Sequence, residues 1–193
     1  IGSTSMNNGV PKNTKKDTVN FEYNNIDSLK KLFKKFKIAG VILEPLSMNL
    51  PKNNFLKEVQ KLCKKNKTVL IFDEICTGFR VSMGGAQKLY GVIPDLTTLG
   101  KGMANGMPLS ALVGKRKIMK FLEKIFFSGT FAGETLSLIS CLETIKLMKR
   151  KKSINKNIKH GLIIKEKLNN YIKYLQLDDI LELSGHPAWL FLK

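Results

Sequence analysis

The stretch Thr68-Val-Leu-Ile-Phe-Asp73, followed at once by Glu74, decides how this chain folds. Its apolar run is too short for a helix, rich in β-branched and aromatic residues, and closed by an acid. Such a run predicts a strand buried on both faces of a parallel sheet. Working outward, Asn53 to Lys65 predicts a helix with Phe55, Leu56, Val59, Leu62 and Cys63 on one side and lysines on the other. Ahead of it, Ala39 to Glu44 predicts a strand ended by Pro45. Ahead of that lies a short helix, capped by Asp27 or Asn25, with Leu29, Leu32, Phe33 and Phe36 at helical spacing. Downstream, Leu96–Leu99 and Ser110–Val113 are strand candidates around a turn containing Gly and Pro. Strands alternating with helices predict an α/β layered domain, a mostly parallel sheet with flanking helices.

Ile1 to Asn25 is rich in Gly, Ser, Asn, Thr and Lys and lacks an apolar period, so loop is expected there. After Phe127-Ser-Gly-Thr-Phe131 the period turns helical from Glu134 to Leu147, and a second helix is expected at about Ser153 to Leu175. Ile180 to Phe191 then opens a new β-containing unit. The expected organisation is a large unit over residues 1–150, with a linking helix and the start of a smaller α+β unit over 151–193. The chain opens at Ile1 and stops just after the apolar stretch Ala188-Trp189-Leu190-Phe191, which reads as part of a longer protein.

With 193 residues and 43% apolar content the chain can bury a core. No apolar run reaches the ~20 residues that span a bilayer, and no signal peptide is evident, so a soluble cytoplasmic protein with no membrane partner is expected. Cys63, Cys76 and Cys141 are widely spaced among apolar neighbours; reduced, mostly buried thiols and no metal site are expected. The net charge of +18 raises nucleic-acid binding. Against it, arginine occurs only at Arg80, Arg116 and Arg150 among many lysines, and the dense run Lys146–Lys159 has no interleaved aromatics. A general lysine bias and solvated helix faces explain the charge without nucleic acid.

Sites in parallel α/β sheets lie at the carboxyl ends of strands, which makes Asp73 and Glu74 candidates. Val69 to Glu74 also has the pattern of a nucleotide hydrolase's magnesium-binding strand. The phosphate loop that such an enzyme needs fails here, with Asp95 and Gly102 where a Gly and a hydroxyl residue belong around Gly100-Lys101. Lys101 has a different promise. It follows a strand, between Gly100 and Gly102, where an amine can be desolvated, lose its proton and form a Schiff base.

The segments Leu70-Ile-Phe-Asp-Glu-Ile-Cys-Thr-Gly-Phe-Arg-Val81, Gly84-Gly-Ala-Gln87, Pro94-Asp-Leu-Thr-Thr-Leu-Gly-Lys101 and Gly106-Met-Pro-Leu-Ser-Ala111 resemble, in order and spacing, the core signature of class III aminotransferases and glutamate-1-semialdehyde aminomutases. The resemblance implies the large domain of a fold type I enzyme dependent on pyridoxal 5'-phosphate, with part of that domain outside this sequence. It implies that Asp73 contacts the cofactor's pyridine nitrogen, Ile75 packs on the ring, and Lys101 forms the internal aldimine. Lys101 would then serve as anchor and as general base in amino-group transfer to or from a small-molecule substrate. Ser128-Gly-Thr-Phe-Ala-Gly133 resembles the segment whose threonine reaches the phosphate in the partner subunit, implying a homodimer with Thr130 at its interface. The helix after it looks well placed for an anion.

The chain departs from the family at Met103-Ala-Asn105, where many members carry a glycine run, and at Glu134-Thr135, where Asn-Pro is usual. Aminotransferase and aminomutase therefore both stay open. So do a non-catalytic relative or basic interaction module, and the magnesium-dependent ATPase using Asp73 and Glu74. His186, beside Pro187, is expected to be structural.

Overall fold

The computed structural model describes residues 8–11 and 16–193; the rest of the loop expected over 1–25 lies outside the described residues. Helix α1 (Ile26–Lys35) begins at Asn25, whose side chain accepts the Ser28 N–H, so of the two expected caps Asn25 is the one used. Strand β1 (Gly40–Leu43) and helix α2 (Phe55–Lys65) follow. The helix starts later than its pattern suggests because Asn53 and Asn54 both take left-handed backbone (φ 50° and 57°), which asparagine tolerates better than most residues. Strand β2 (Val69–Asp73), helix α3 (Gly85–Tyr90), strand β3 (Leu96–Leu99) and strand β4 (Ala111–Gly114) complete this part. Six-residue α3 is too short for a helical period to show. A short helix, α4 (Arg116–Met119), follows β4.

The sheet order is β1-β2-β3-β4. β1 with β2 and β2 with β3 are parallel, while β4 returns antiparallel to β3, so the sheet is mostly parallel as expected. Its main core lies on one face. Leu70, Phe72, Val41 and Leu43 point into a cluster with Leu29 of α1 and with Phe55, Leu56 and Val59 of α2. Phe72, with no exposed surface, is worth about 3–5 kcal/mol by comparison with core truncations. The sequence expectation that β2 is buried on both faces is corrected. Leu70 and Phe72 are buried while Val69, Ile71 and Asp73 are only half-buried, and Ile42 on β1 is 59% exposed. Helices α1 and α2 cover one face only, and the acid-bearing face stays open among the described residues.

Helices α5 (Thr135–Lys151) and α6 (Ser153–Tyr174) meet at Lys152, whose left-handed backbone (φ 51°) breaks what would otherwise be one helix. A hairpin of β5 (Leu183–His186) and β6 (Trp189–Leu192) ends the chain. His186 Nδ1 accepts the Ala188 N–H at 3.1 Å across the turn, and burial lowers its pKa, so the neutral ring holds the hairpin. Trp189 packs on the second core cluster of Leu46, Val81 and Ala86, and Arg80 Nη1 donates to the Ala188 carbonyl at 3.4 Å. No helix among the described residues is long and apolar enough to cross a membrane.

Gly161 on α6 sits where a methyl group would overlap the Pro187 carbonyl. Alanine gains about 1 kcal/mol over glycine in a helix interior, but the clash at Gly161→Ala should reverse that sign and lower stability by about 1–3 kcal/mol. Thermal unfolding would check this, and a raised Tm would count against the close helix–hairpin packing.

Candidate active site

Parallel pairing brings the carboxyl ends of β2 and β3 to one edge of the sheet, with Asp73 opposite Thr98 in register. Alternation along β2 turns Phe72 into the core and Asp73 to the open face. Asp73 Oδ1 accepts the Thr98 hydroxyl and the Ile75 N–H, each at 3.1 Å, which fixes the carboxylate without spending its second oxygen among the described residues. Ile75 is half-buried and lies against Gly100, where an added methyl would touch its side chain at 3.7 Å. Lys101 follows Gly100 directly, in a 3-10 turn spanning Lys101–Ala104. Its φ of 45° is left-handed and unusual for a lysine, a strained backbone of the kind that gathers at functional sites.

Three of the four residues that the resemblance implies therefore converge: Asp73, Ile75 and Lys101. Thr130 does not join them. It lies on an exposed turn before α5, where the Ala132 N–H donates to the Gly129 carbonyl at 3.1 Å. The open helix N-terminus expected beside it is also corrected. Glu134 caps α5 with its own carboxylate, accepting the Leu136 and Ser137 N–H groups at 2.8 Å each, so those donors are already occupied.

Among the described residues of this chain, the desolvation expected of Lys101 is not seen. Its side chain is exposed and its pKa is raised rather than lowered. The Cys76 sulfur is the main cause, accepting a hydrogen bond from Nζ and acting through its charge. The slight burial works the other way, and the Glu44 and Asp73 carboxylates add smaller attractions. Glu44 in turn has a raised pKa, from burial first and the Asp73 charge second, with Lys101 opposing both. Glu44, Asp73 and Lys101 thus form one electrostatic group across the ends of β1, β2 and β3. Cys76 was read in sequence as an ordinary thiol. Its place three residues after Asp73, on the turn leaving β2, is the signal that could have set it apart.

Glu74 serves a different purpose from its neighbour. It has no exposed surface, and its two oxygens accept the Thr77 hydroxyl (2.8 Å), the Ala86 N–H, the Gln87 N–H (3.0 Å) and the Gln87 side-chain amide (3.1 Å). A buried carboxylate is stable only when saturated in this way. Gln87 passes the connection on to Thr97 Oγ1 at 3.3 Å. Gly85, at φ 68°, is required where it stands, since a side chain there would run into the Glu74 carboxylate. With both oxygens engaged, Glu74 has none left for a magnesium ion, which removes the main support for the ATPase reading.

Two outcomes follow. Glu74→Ala leaves four donors unsatisfied and should destabilise the protein by about 3 kcal/mol or more, with Glu74→Gln intermediate, measurable by denaturant unfolding. Cys76→Ala removes the largest cause of the raised Lys101 pKa, so amine labelling of Lys101, followed by mass spectrometry as pH rises, should begin at lower pH in the variant. An unchanged profile would mean that the sulfur does not hold the ammonium.

The family model described as class III aminotransferase matches residues 3–183. The glutamate-1-semialdehyde 2,1-aminomutase of Pelodictyon phaeoclathratiforme is 41% identical over 192 residues, covering 95% of this chain and 44% of its own length. That of Archaeoglobus fulgidus is 43% identical over 155 residues, 77% of this chain and 37% of its own. Among solved structures, the FumI protein of Sphingopyxis sp. MTA144, in its PLP internal aldimine form, superposes with a TM-score of 0.87 at 25% identity, covering 95% of this chain and 46% of that one. An omega-transaminase from Sphaerobacter thermophilus gives 0.85 at 23% identity, with 93% and 43% coverage, a likeness of fold. The chain spans less than half the length of these proteins. Its motifs, its sheet and a match running through almost all its residues lead to one conclusion: the chain belongs to the class III aminotransferase family.

Proposed function

We propose that this chain carries the lysine and aspartate of an enzyme that moves amino groups with pyridoxal 5'-phosphate, as an aminotransferase or as an aminomutase acting on a small amino compound such as glutamate-1-semialdehyde. The observation that carries the reading is the pairing of Asp73 and Lys101 at the ends of adjacent parallel strands. The donor set fits the cofactor. Asp73 keeps an oxygen for a ring N–H, Ile75 offers an aliphatic face beside Gly100, and Lys101 brings a primary amine to the same edge.

When bound, the cofactor supplies an electron sink for the charge left on a substrate carbon that loses its proton. Asp73, oriented by Thr98 and by the Ile75 N–H, would hold a proton on the ring nitrogen and keep that sink effective. Lys101 would anchor the cofactor through Nζ and, once displaced by the substrate amine, carry a proton to or from the reacting carbon at that same nitrogen. Cys76, Glu44 and Asp73 favour its ammonium form, suited to the proton-donating half of the cycle.

Thr130 would act in trans, towards a partner subunit's cofactor phosphate. Its exposure, next to Phe126 (96% exposed) and Phe127 (80% exposed), supports a homodimer, because clustered bare aromatics mark surfaces that become covered. The same reading gives residues 1–150 as part of the large unit and 151–193 as a linking helix and the beginning of the smaller one, and puts the protein in the cytoplasm, where free thiols such as Cys63, Cys76 and Cys141 persist.

The purified protein incubated with pyridoxal phosphate should gain a visible absorbance band and, after borohydride, a label on the Lys101 peptide. Lys101→Ala should lose both, and turnover of amino donors should fall by about 10²–10⁴-fold. A band and label that survive Lys101→Ala would refute the assignment. Persistent absence of either in the unaltered protein would favour the non-catalytic relative.

A further inference from the structure

Cys76 enters the reaction just described only through its influence on the charge of Lys101, yet its sulfur meets the amine directly. Both residues of the contact stand on held backbone. Cys76 sits on the turn that leaves β2, where the Gly78 N–H donates to the Glu74 carbonyl at 2.8 Å and Arg80 Nε donates to the Cys76 carbonyl at 3.1 Å. Lys101 sits on the turn that leaves β3, its backbone held at φ 45°. The thiol is half-buried and so within reach of a small oxidant. Cys63 is the internal contrast: it is buried in the core, and burial first and the Asp95 charge second push its thiol up to about 12, which leaves it unreactive.

We propose that Cys76 and Lys101 form a modification site, in which a peroxide joins the sulfur to the amine as a thiol-reversible sulfenamide. In the first step the sulfur attacks one peroxide oxygen and the O–O bond breaks. Sulfur is oxidised by two electrons to the sulfenic acid, and the peroxide is reduced to water. In the second, the Lys101 ammonium gives one proton to solvent and its freed nitrogen pair attacks the sulfur. The S–O bond breaks, and the hydroxyl departs as water with a further proton from nitrogen, leaving S–NH. A thiol reductant reverses the result by attacking sulfur and releasing the amine. Once the sulfur is oxidised, the Glu44 and Asp73 carboxylates still favour the proton on Nζ, so the second step should quicken as pH rises. The bond itself needs no cofactor; its consequence, an amine no longer available to anchor or to carry protons, rests on the amino-transfer reading.

The test treats the purified protein with dilute hydrogen peroxide at neutral and mildly alkaline pH, then digests it without reductant for mass spectrometry. The expected product is a Cys76 peptide joined to a Lys101 peptide, lighter than the pair by two hydrogens. It should be more abundant at the higher pH, lost on adding dithiothreitol, and lost in Cys76→Ser and in Lys101→Arg, whose circular dichroism would report their folding. Peroxide that carries Cys76 to sulfinic acid without any link overturns the proposal, as does oxidation of Cys141 alone, or the same joined peptides in Cys76→Ser. A parallel arm preloads pyridoxal phosphate. Protection of the link supports Lys101 as the shared nitrogen of both chemistries. A link that forms equally with and without preloading leaves the modification site standing and removes Lys101 as the cofactor anchor.

Discussion

The parallel pairing of β2 with β3, in the register that sets Asp73 opposite Thr98, is the constraint on which the site depends. Side chains alternate across a strand, so sliding β2 by one residue would turn Phe72 out of the core and Asp73 into it. The burial of Leu70 and Phe72 against α1 and α2 forbids that slip at a cost of several kcal/mol. The same packing that forms the core therefore aims the carboxylate at the open face. Thr98, held by the neighbouring strand, then fixes the angle of that carboxylate through one hydroxyl. Parallel strands also end at a common edge, which is why a lysine two residues beyond β3 arrives beside an aspartate at the end of β2.

Adjacent acids have opposite environments here. Glu74 is wholly enclosed and fully hydrogen-bonded, and it ties the turn after β2 to α3 and, through Gln87, to β3. Asp73 keeps an oxygen available. A charge confined inside protein holds a loop rigid because every displaced donor costs free energy, while a charge left partly free can meet a ligand. The Asp-Glu pair thus divides into one residue that braces the site and one that faces it. Arg80 and Trp189 extend the bracing to the terminal hairpin, so the turn carrying Ile75 and Cys76 is supported from several sides.

Much of this was legible in the residues. The apolar run before Asp73, the helical spacings of α1, α2, α5 and α6, and the glycines around Lys101 each have a local cause, and local causes survive in sequence. The elements that escaped are those without such a cause. Helix α3 is too short to show a period, and the start of α2 depends on two asparagines adopting left-handed backbone. The half-open second face of β2 depends on which helices cover the sheet, which no single strand encodes.

By itself, the sequence determined the α/β class, the family, and Asp73, Ile75 and Lys101 as the residues to examine, because hydrophobic periodicity and motif spacing are properties of neighbours along the chain. Tertiary structure alone decided the partners of those residues: Thr98 on Asp73, Cys76 and the acids around Lys101, four donors on Glu74, and Glu134 on its own helix end. Such contacts join atoms separated by many residues or turned by the geometry of a loop. They set the charge and reactivity of each group through distance and solvent exposure, quantities that exist only once the chain has folded.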